Sequence, residues 1–214
     1  MNDFLKTIDF TDVRRLGEKV AHYFENDATL EKNEKKHFAE LKGKHFIFWT
    51  DSGVFSKKGL DFGTRTLLES FLETERSGKI LDFGCGYGPI GIIIAKLSKS
   101  NVTMIDVNQR SLAMAQKNAL ENNVQVSIKE SNFYEQIEGQ YDYIVTNPPI
   151  RVGKEALYQI LIDAANFLKD TGELWFVIHK DQGAKSTAKN MELYYQVEII
   201  TKNKGFYIIR CRKK

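Results

Sequence analysis

Cysteine is scarce: Cys85 and Cys211 are the only two in a chain of 214 residues. So widely separated, they supply neither a disulfide framework nor a zinc cluster. No base stands near Cys85 in sequence, which argues against nucleophilic thiol chemistry. The four histidines, His22, His37, His45 and His179, follow no metal-ligand spacing, so no metal is expected. No apolar run approaches the length of a membrane span, and the N-terminus lacks the apolar core of a secretory signal. A reducing, cytoplasmic location and no membrane partner are the expectation. Repeats and low-complexity linkers are also missing. A strong net charge is missing too: 31 Lys and Arg against 28 Asp and Glu leave +3. No acid follows Glu198, while Lys202, Lys204, Arg210, Arg212, Lys213 and Lys214 crowd the end. Such a cluster is placed to neutralise phosphates, and reads equally as a solvated basic tail. With 42% hydrophobic and 28% charged residues, the chain is an ordinary globular one with a single sizeable core.

Proline is rare as well, and its three positions are informative: Pro89 and the pair Pro148-Pro149. Pro89 closes the stretch Lys-Ile-Leu-Asp-Phe-Gly-Cys-Gly-Tyr-Gly-Pro. Ile80, Leu81 and Phe83 read as a buried strand end. Gly84, Gly86 and Gly88 form a turn, and an apolar helix follows from Ile90. Glycine permits positive φ and close approach to the backbone, and a helix start offers inward N–H groups. This is the geometry of a nucleoside-bearing cofactor site. Counted from Gly84, the nicotinamide fingerprint G-x-G-x-x-G meets Pro89 in its third glycine slot, which argues against a dinucleotide.

The rest of the chain divides into an N-terminal extension, 1–43, packed on a main domain, 44–214. In the extension, 13–24 has helical amphipathicity, and 28–40, mostly polar, reads as a plain extension or a loose helix. Residues 45–50 are β-prone, with 54–56 as the returning strand of a hairpin. A helix over 65–75 has Thr64 as its cap, and its start, with Gly63, is placed to face the cofactor. From Lys79 onward strands and helices alternate. The strands are 102–106, 124–129, 141–146 and 173–179, and the helices 110–121, 155–168 and 185–193. Asn203-Lys204-Gly205 joins two last strands into an antiparallel hairpin. Alternation of this kind predicts an α/β fold, a mostly parallel sheet with helices on both faces. Ligands then bind at the carboxyl ends of the strands. Asp82, Asp106, Asn132 and Asn147 all fall there.

Asp106 ends the second of these strands, where an acid accepts hydrogen bonds from ribose hydroxyls. Asn132 is placed to receive an adenine amino group, with Phe133 beside the ring. Asn147-Pro148-Pro149-Ile150 is the chemical motif. Prolines lack an N–H and cannot continue a ladder, so carbonyl oxygens there can face a ligand. Asn147 adds an amide oxygen. Two such acceptors bind both hydrogens of one planar amine.

With these residues in view, the pattern Asp82 to Gly88 plus Asn147-Pro148-Pro149 resembles S-adenosylmethionine (SAM) methyltransferases acting on exocyclic or amide nitrogens. The stretches Asp51-Ser52-Gly53-Val54-Phe55-Ser56, Leu60-Asp61-Phe62-Gly63-Thr64, Ile150-Arg151-Val152-Gly153-Lys154 and Lys180-Asp181-Gln182-Gly183-Ala184 narrow it. They are similar to the small-subunit ribosomal RNA guanine-N2 methyltransferases, in their short single-domain form. The resemblance runs from about His22 to the C-terminus. It implies a Rossmann-like class I fold with a seven-stranded sheet, SAM as methyl donor, and a guanine exocyclic amine in RNA as acceptor. It also implies roles. Asp82, Gly84, Gly86, Asp106, Asn132, Phe133, Gly63 and Thr64 would bind the cofactor. Asn147 and Pro148 would be catalytic, and Phe55, Pro149, Ile150 and Arg151 would contact the substrate. Ile150 departs from the aromatic residue common after the two prolines, which forgoes base stacking of about 1–3 kcal/mol. Phe55 is a substitute stacking partner. A protein glutamine amide, DNA adenine or tRNA are alternative acceptors. A catalytically inactive RNA-binding protein is the non-enzymatic alternative.

Overall fold

The computed structural model describes residues 33–51, 59–149 and 153–214. A seven-stranded sheet runs through the protein. Its first strand in sequence, β3 (Gly78–Phe83), lies near the middle. Here β1 is Lys35–Leu41 and β2 is Lys44–Thr50. The remaining strands are β4 (Ser100–Asp106), β5 (Ser127–Glu130), β6 (Tyr141–Thr146), β7 (Leu168–His179), β8 (Tyr195–Asn203) and β9 (Phe206–Lys213). Their order is β5-β4-β3-β6-β7-β9-β8. β3 to β7 pair in parallel, while β9 runs antiparallel to β7 and to β8. The expected sheet and its closing hairpin are therefore present. The chain leaves β3 in one direction to form β4 and β5, then returns to form β6 on the other side. That reversal opens a crevice at the carboxyl ends of β3 and β6.

Period-two alternation sorts the sheet's side chains into two cores. Ile80, Val145, Trp175 and Val177 face one. Leu81, Phe83, Ile144, Leu174 and Phe176 face the other. Helices α1 (Phe62–Phe71), α2 (Pro89–Leu97) and α3 (Gln109–Glu121) contribute to the first. Helices α4 (Lys154–Phe167) and α5 (Ala184–Met191) cover the second. Both faces being buried is why residues 174–178 of β7 read as a continuous apolar run rather than an alternating one.

Two expectations are corrected. Residues 35–41, read from sequence as part of a loose helix or extension, are strand β1, paired antiparallel with β2 in a sheet of their own. The turn between them is Lys42-Gly43, with φ of 50° and 70°. Positive φ at both central residues suits the twist of a tight hairpin. The pairing partner of 45–50 thus lies before it in sequence. The expected return strand, 54–56, is outside the described residues, as is the 13–24 helix. The 43/44 division falls inside the β1–β2 turn. The other correction concerns α1, which begins at Phe62 and is capped by Asp61 rather than by Thr64. Asp61 Oδ1 accepts from the Thr64 N–H at 3.0 Å, so Thr64 occupies the position that the cap satisfies.

Candidate active site

The glycine loop leaves β3 with Gly84, Gly86 and Gly88 all at positive φ. These glycines do different things. A Cβ on Gly86 would meet nothing within 4 Å, and one on Gly84 only Pro149 Cδ at 3.8 Å. A Cβ on Gly88 would press on Ile92 and Met104 at 3.0 Å. The first two keep an open cradle, and the third makes room for packing. A fourth glycine escaped the sequence reading. Gly91 lies within α2, and a Cβ there would stand 2.4 Å from Met104 Sδ. Counted from Gly86 rather than Gly84, the run Gly-Tyr-Gly-Pro-Ile-Gly does fit G-x-G-x-x-G. Its last glycine serves close helix–strand packing. Glycine spacing alone therefore does not exclude a dinucleotide.

Two carboxylates organise the loop. Asp82 is fully buried, and its Oδ2 accepts from the Gly91 N–H at 2.8 Å. Its Oδ1 is buried with no hydrogen-bond partner among the described residues. Burial pushes the Asp82 carboxyl up to about 7, against the Gly91 bond and with help from the Asp106 charge. Asp106, at the end of β4, accepts from Gly86 N–H at 2.8 Å through Oδ2 and from Asn108 N–H at 2.9 Å through Oδ1. Desolvation raises its pKa and these N–H donors oppose the rise. The loop after β5 joins the same rim, since Ser131 N–H donates to Asp106 O at 3.0 Å. Asn132 Nδ2 donates to Glu135 Oε1 at 3.1 Å, which leaves its Oδ1 as a second buried acceptor without a partner among the described residues. Phe133 beside it takes a φ of 50°, a conformation rare for an aromatic residue.

The Asn147-Pro148-Pro149 segment sits across the crevice. Thr146, the last residue of β6, donates its hydroxyl to Phe83 O at 2.8 Å and ties the two strand ends together. Nothing in the sequence singled it out. Asn147 follows, half-buried, then Pro148, buried, and Pro149, half-buried. Asn147 Nδ2 donates to Thr64 Oγ1 at 2.9 Å. Thr64 Oγ1 in turn donates to Asp61 Oδ2 at 2.6 Å. The structure thus places Thr64 with Asn147. Gly63 has its own local reason: a Cβ there would stand 2.7 Å from the Phe206 ring. That ring packs between Phe62, with centroids 5.9 Å apart, and His179, at 4.8 Å. His179 packs on Phe206, and its Nδ1 caps the 3-10 turn Lys180–Gln182. Beside this turn lies an open cleft of about 530 Å³ lined by Lys180, Asp181, Gly183, Lys185, Ser186 and Tyr207. Phe55, Ile150 and Arg151 lie outside the described residues.

Both cysteines are buried, and burial raises both thiols, Cys85 well above its ordinary value and Cys211 to about 12. Among the described residues, no group of three or more His, Cys, Asp or Glu side chains could hold a metal ion. No helix among them is long and apolar enough to cross a membrane.

Known proteins agree with this geometry. The family model of the methyltransferase small domain matches residues 45–210. Protein YbxB of Bacillus subtilis is 43% identical over 197 residues, which cover 90% of this chain and 98% of that one. Ribosomal RNA small subunit methyltransferase C of Colwellia psychrerythraea is 33% identical over 188 residues. That match covers 83% of this chain but 50% of the relative, so the chain spans about half of the longer protein's length. Among solved structures, the T. thermophilus 16S rRNA N2 methyltransferase RsmC, in complex with AdoMet and guanosine, superposes with a TM-score of 0.77. The two share 22% identity over 86% of this chain and 52% of the other, a likeness of fold. The chain belongs to the methyltransferase small domain family.

Proposed function

We propose that this protein is a SAM-dependent N-methyltransferase whose acceptor is the guanine N2 amine of small-subunit ribosomal RNA, acting in the cytoplasm. The observation that carries the reading is the meeting of two motifs at one crevice. The glycine loop after β3 and Asn147-Pro148-Pro149 after β6 approach to 3.8 Å, measured from a Cβ position on Gly84 to Pro149 Cδ.

The chain's residues suit the cofactor. Gly84 and Gly86 leave an open cradle, and Asp106 stands where ribose hydroxyls need an acceptor. The free Oδ1 of Asp82 suits a cationic group, and that of Asn132 suits an adenine amino group. When bound, SAM supplies an electrophilic methyl group on a sulfonium. No strong base is needed to activate the acceptor amine. The protein's task is alignment, which is worth several orders of magnitude in rate. Asn147 Oδ1 and the Pro148 carbonyl accept the two amine hydrogens. They aim its lone pair and stabilise the positive charge that develops on it. The spare proton leaves to water. A guanine that is paired in a helix must first leave its stack.

The ribosomal RNA assignment is supported by the relatives named above. The decisive experiment maps N2-methylguanine by mass spectrometry in ribosomal RNA from cells with and without the protein. Loss of one modified position, restored by the wild-type gene, is the expected result. An unchanged map, with labelled methyl appearing instead in tRNA, DNA or release factors, would move the acceptor to another class. The Asn147→Ala variant should retain SAM affinity within about threefold and lose roughly 10²-fold or more in kcat. Unchanged turnover would remove Asn147 from the mechanism.

A further inference from the structure

We infer that Asp61 and Thr64 form a one-directional hydrogen-bond relay that fixes which way the Asn147 amide points, making both of them positioning residues for the acceptor amine. The inference rests on the catalytic reading of Asn147 just given.

An asparagine side chain presents a donor on one side and an acceptor on the other, and the two differ little in shape. Only the orientation with Oδ1 toward the substrate accepts an amine hydrogen. The reverse sets NH₂ against NH₂. The choice is worth the whole catalytic contribution of the residue, so the fold must enforce it. Proton counting along the chain shows how. Asp61 offers a carboxylate, which only accepts. Its Oδ1 takes the Thr64 N–H at 3.0 Å, and its Oδ2 takes the Thr64 hydroxyl hydrogen at 2.6 Å. A hydroxyl has one hydrogen. With that hydrogen spent on Asp61, Thr64 Oγ1 can meet Asn147 only as an acceptor, and it does so from Nδ2 at 2.9 Å. Oδ1 of Asn147 is thereby turned to the opposite side. Thr64 is buried, so water cannot readily compete for its oxygen. The Asp61 charge also polarises the chain, which makes Asn147 Oδ1 a better acceptor as positive charge grows on the amine.

Asp61 therefore serves two ends. It caps α1, and it sets the relay's direction from the far end. The two can be separated, because asparagine caps helices about as well as aspartate. In Asp61→Asn the new side chain can keep its oxygen on the Thr64 N–H, while its NH₂ now donates to Thr64 Oγ1. The Thr64 hydroxyl is then free to donate to Asn147, whose amide turns over.

The test measures SAM affinity by calorimetry, steady-state kinetics on the methyl-accepting RNA, and the NMR signals of the Asn147 side-chain NH₂. Asp61→Asn should melt within a few degrees of wild type and bind SAM normally. Its kcat should fall roughly 10²-fold with little change in KM, and the Asn147 NH₂ signals should move. Thr64→Val should lose turnover similarly, and Thr64→Ser, which keeps the hydroxyl, should recover most of it. In the Asn147→Ala background, Asp61→Asn should cost nothing further, since no amide remains to be turned. A purely structural role for Asp61 would lower stability or SAM affinity and add its cost in that background, and this outcome overturns the relay. So does an Asp61→Asn enzyme within twofold of wild-type kcat while Asn147→Ala is impaired. If Asn147→Ala is itself fully active, the catalytic reading and the relay fall together.

Discussion

Burial takes the Asp82 carboxyl far from its ordinary state. It sits at zero exposure with one oxygen bonded to Gly91 N–H and the other without a partner among the described residues. Desolvation lifts its carboxyl to about 7, so in the free protein it gains charge only as the pH passes neutrality. A nearby cation favours the ionised form. SAM, carrying a sulfonium and an ammonium, should therefore bind more tightly at pH 8 than at pH 6, with protons released on binding. Calorimetry across that range, repeated in buffers of different ionisation heat, reads both effects. Asp82→Asn should flatten the slope, and a pH-independent affinity in the wild type would separate Asp82 from the cofactor. The residue scale is also where the sequence spoke most directly. Asp82, Asp106 and Asn147 were legible because each lies at or next to the carboxyl end of a strand in an alternating chain. Thr146 was not, because a threonine at a strand end is indistinguishable from any β-branched strand residue until its hydroxyl is seen on Phe83 O.

At the scale of elements, the β1–β2 hairpin shows how side chains can stand in for a strand. The outer edge of β2 faces α3, where Asn118 and Asn122 lie one helical turn apart. Asn118 Oδ1 accepts from Trp49 N–H at 2.7 Å, and its Nδ2 donates to Trp49 O at 2.9 Å and to Tyr87 O at 2.8 Å. Asn122 repeats the pattern on Ile47, with Oδ1 accepting from N–H at 3.0 Å and Nδ2 donating to O at 2.6 Å. The helical i,i+4 spacing thus meets the strand's i,i+2 spacing, and two amides complete a ladder. Because Tyr87 belongs to the glycine loop, the clamp also ties the hairpin to the cofactor half of the site. Asn118→Ala should cost about 1–3 kcal/mol, since it strands polar groups that lose their partners. Urea unfolding measures that cost. Amide exchange at Trp49 and Ile47 should accelerate well before global unfolding, and protection equal to wild type would show that the clamp is dispensable. Periodicity could not have found this. Asparagine in a helix looks like a surface residue until a strand edge is laid against it.

For the whole molecule, two buried carboxyls bound the pH range of greatest stability. Burial raises Asp82, so its contribution to stability is full at low pH and is lost as the pH rises through about 7. Glu173, near the other end of the sheet, behaves oppositely. Its burial tends to raise its pKa, but hydrogen bonds from Arg212 at 2.7 Å and Trp175 Nε1 at 2.8 Å, with the Arg210 charge, hold it below its ordinary 4.5. That contribution is present above 4.5 and is lost as the pH falls through the folded value. The two slopes meet near the unfolded carboxyl values, so the cofactor-free protein should be most stable at about pH 4 and lose stability from there toward pH 7. Glu173→Gln should flatten the acid limb of a denaturation series, and Asp82→Asn the decline between about pH 4 and pH 7. A stability maximum at pH 8 or higher would contradict the Asp82 assignment. Glu173 faces Arg212 across the β7–β9 pair, so it also fastens the antiparallel hairpin to the parallel sheet.

The sequence by itself determined the alternating α/β layout, the closing hairpin and the polar residues gathered at the strand ends. These follow from local rules: side-chain periodicity, turn residues, and the inability of proline to continue a ladder. Tertiary structure alone decided three further things. It gave β2 the polar stretch before it, β1, as a partner, because strand pairing is settled by which edges meet and not by propensity. It assigned different duties to Gly84, Gly88 and Gly91, because a glycine's reason is the neighbour a Cβ would meet. And it joined Asp61, Thr64 and Asn147 across two distant loops, because the direction of a hydrogen bond depends on where every hydrogen in the chain of groups has already gone.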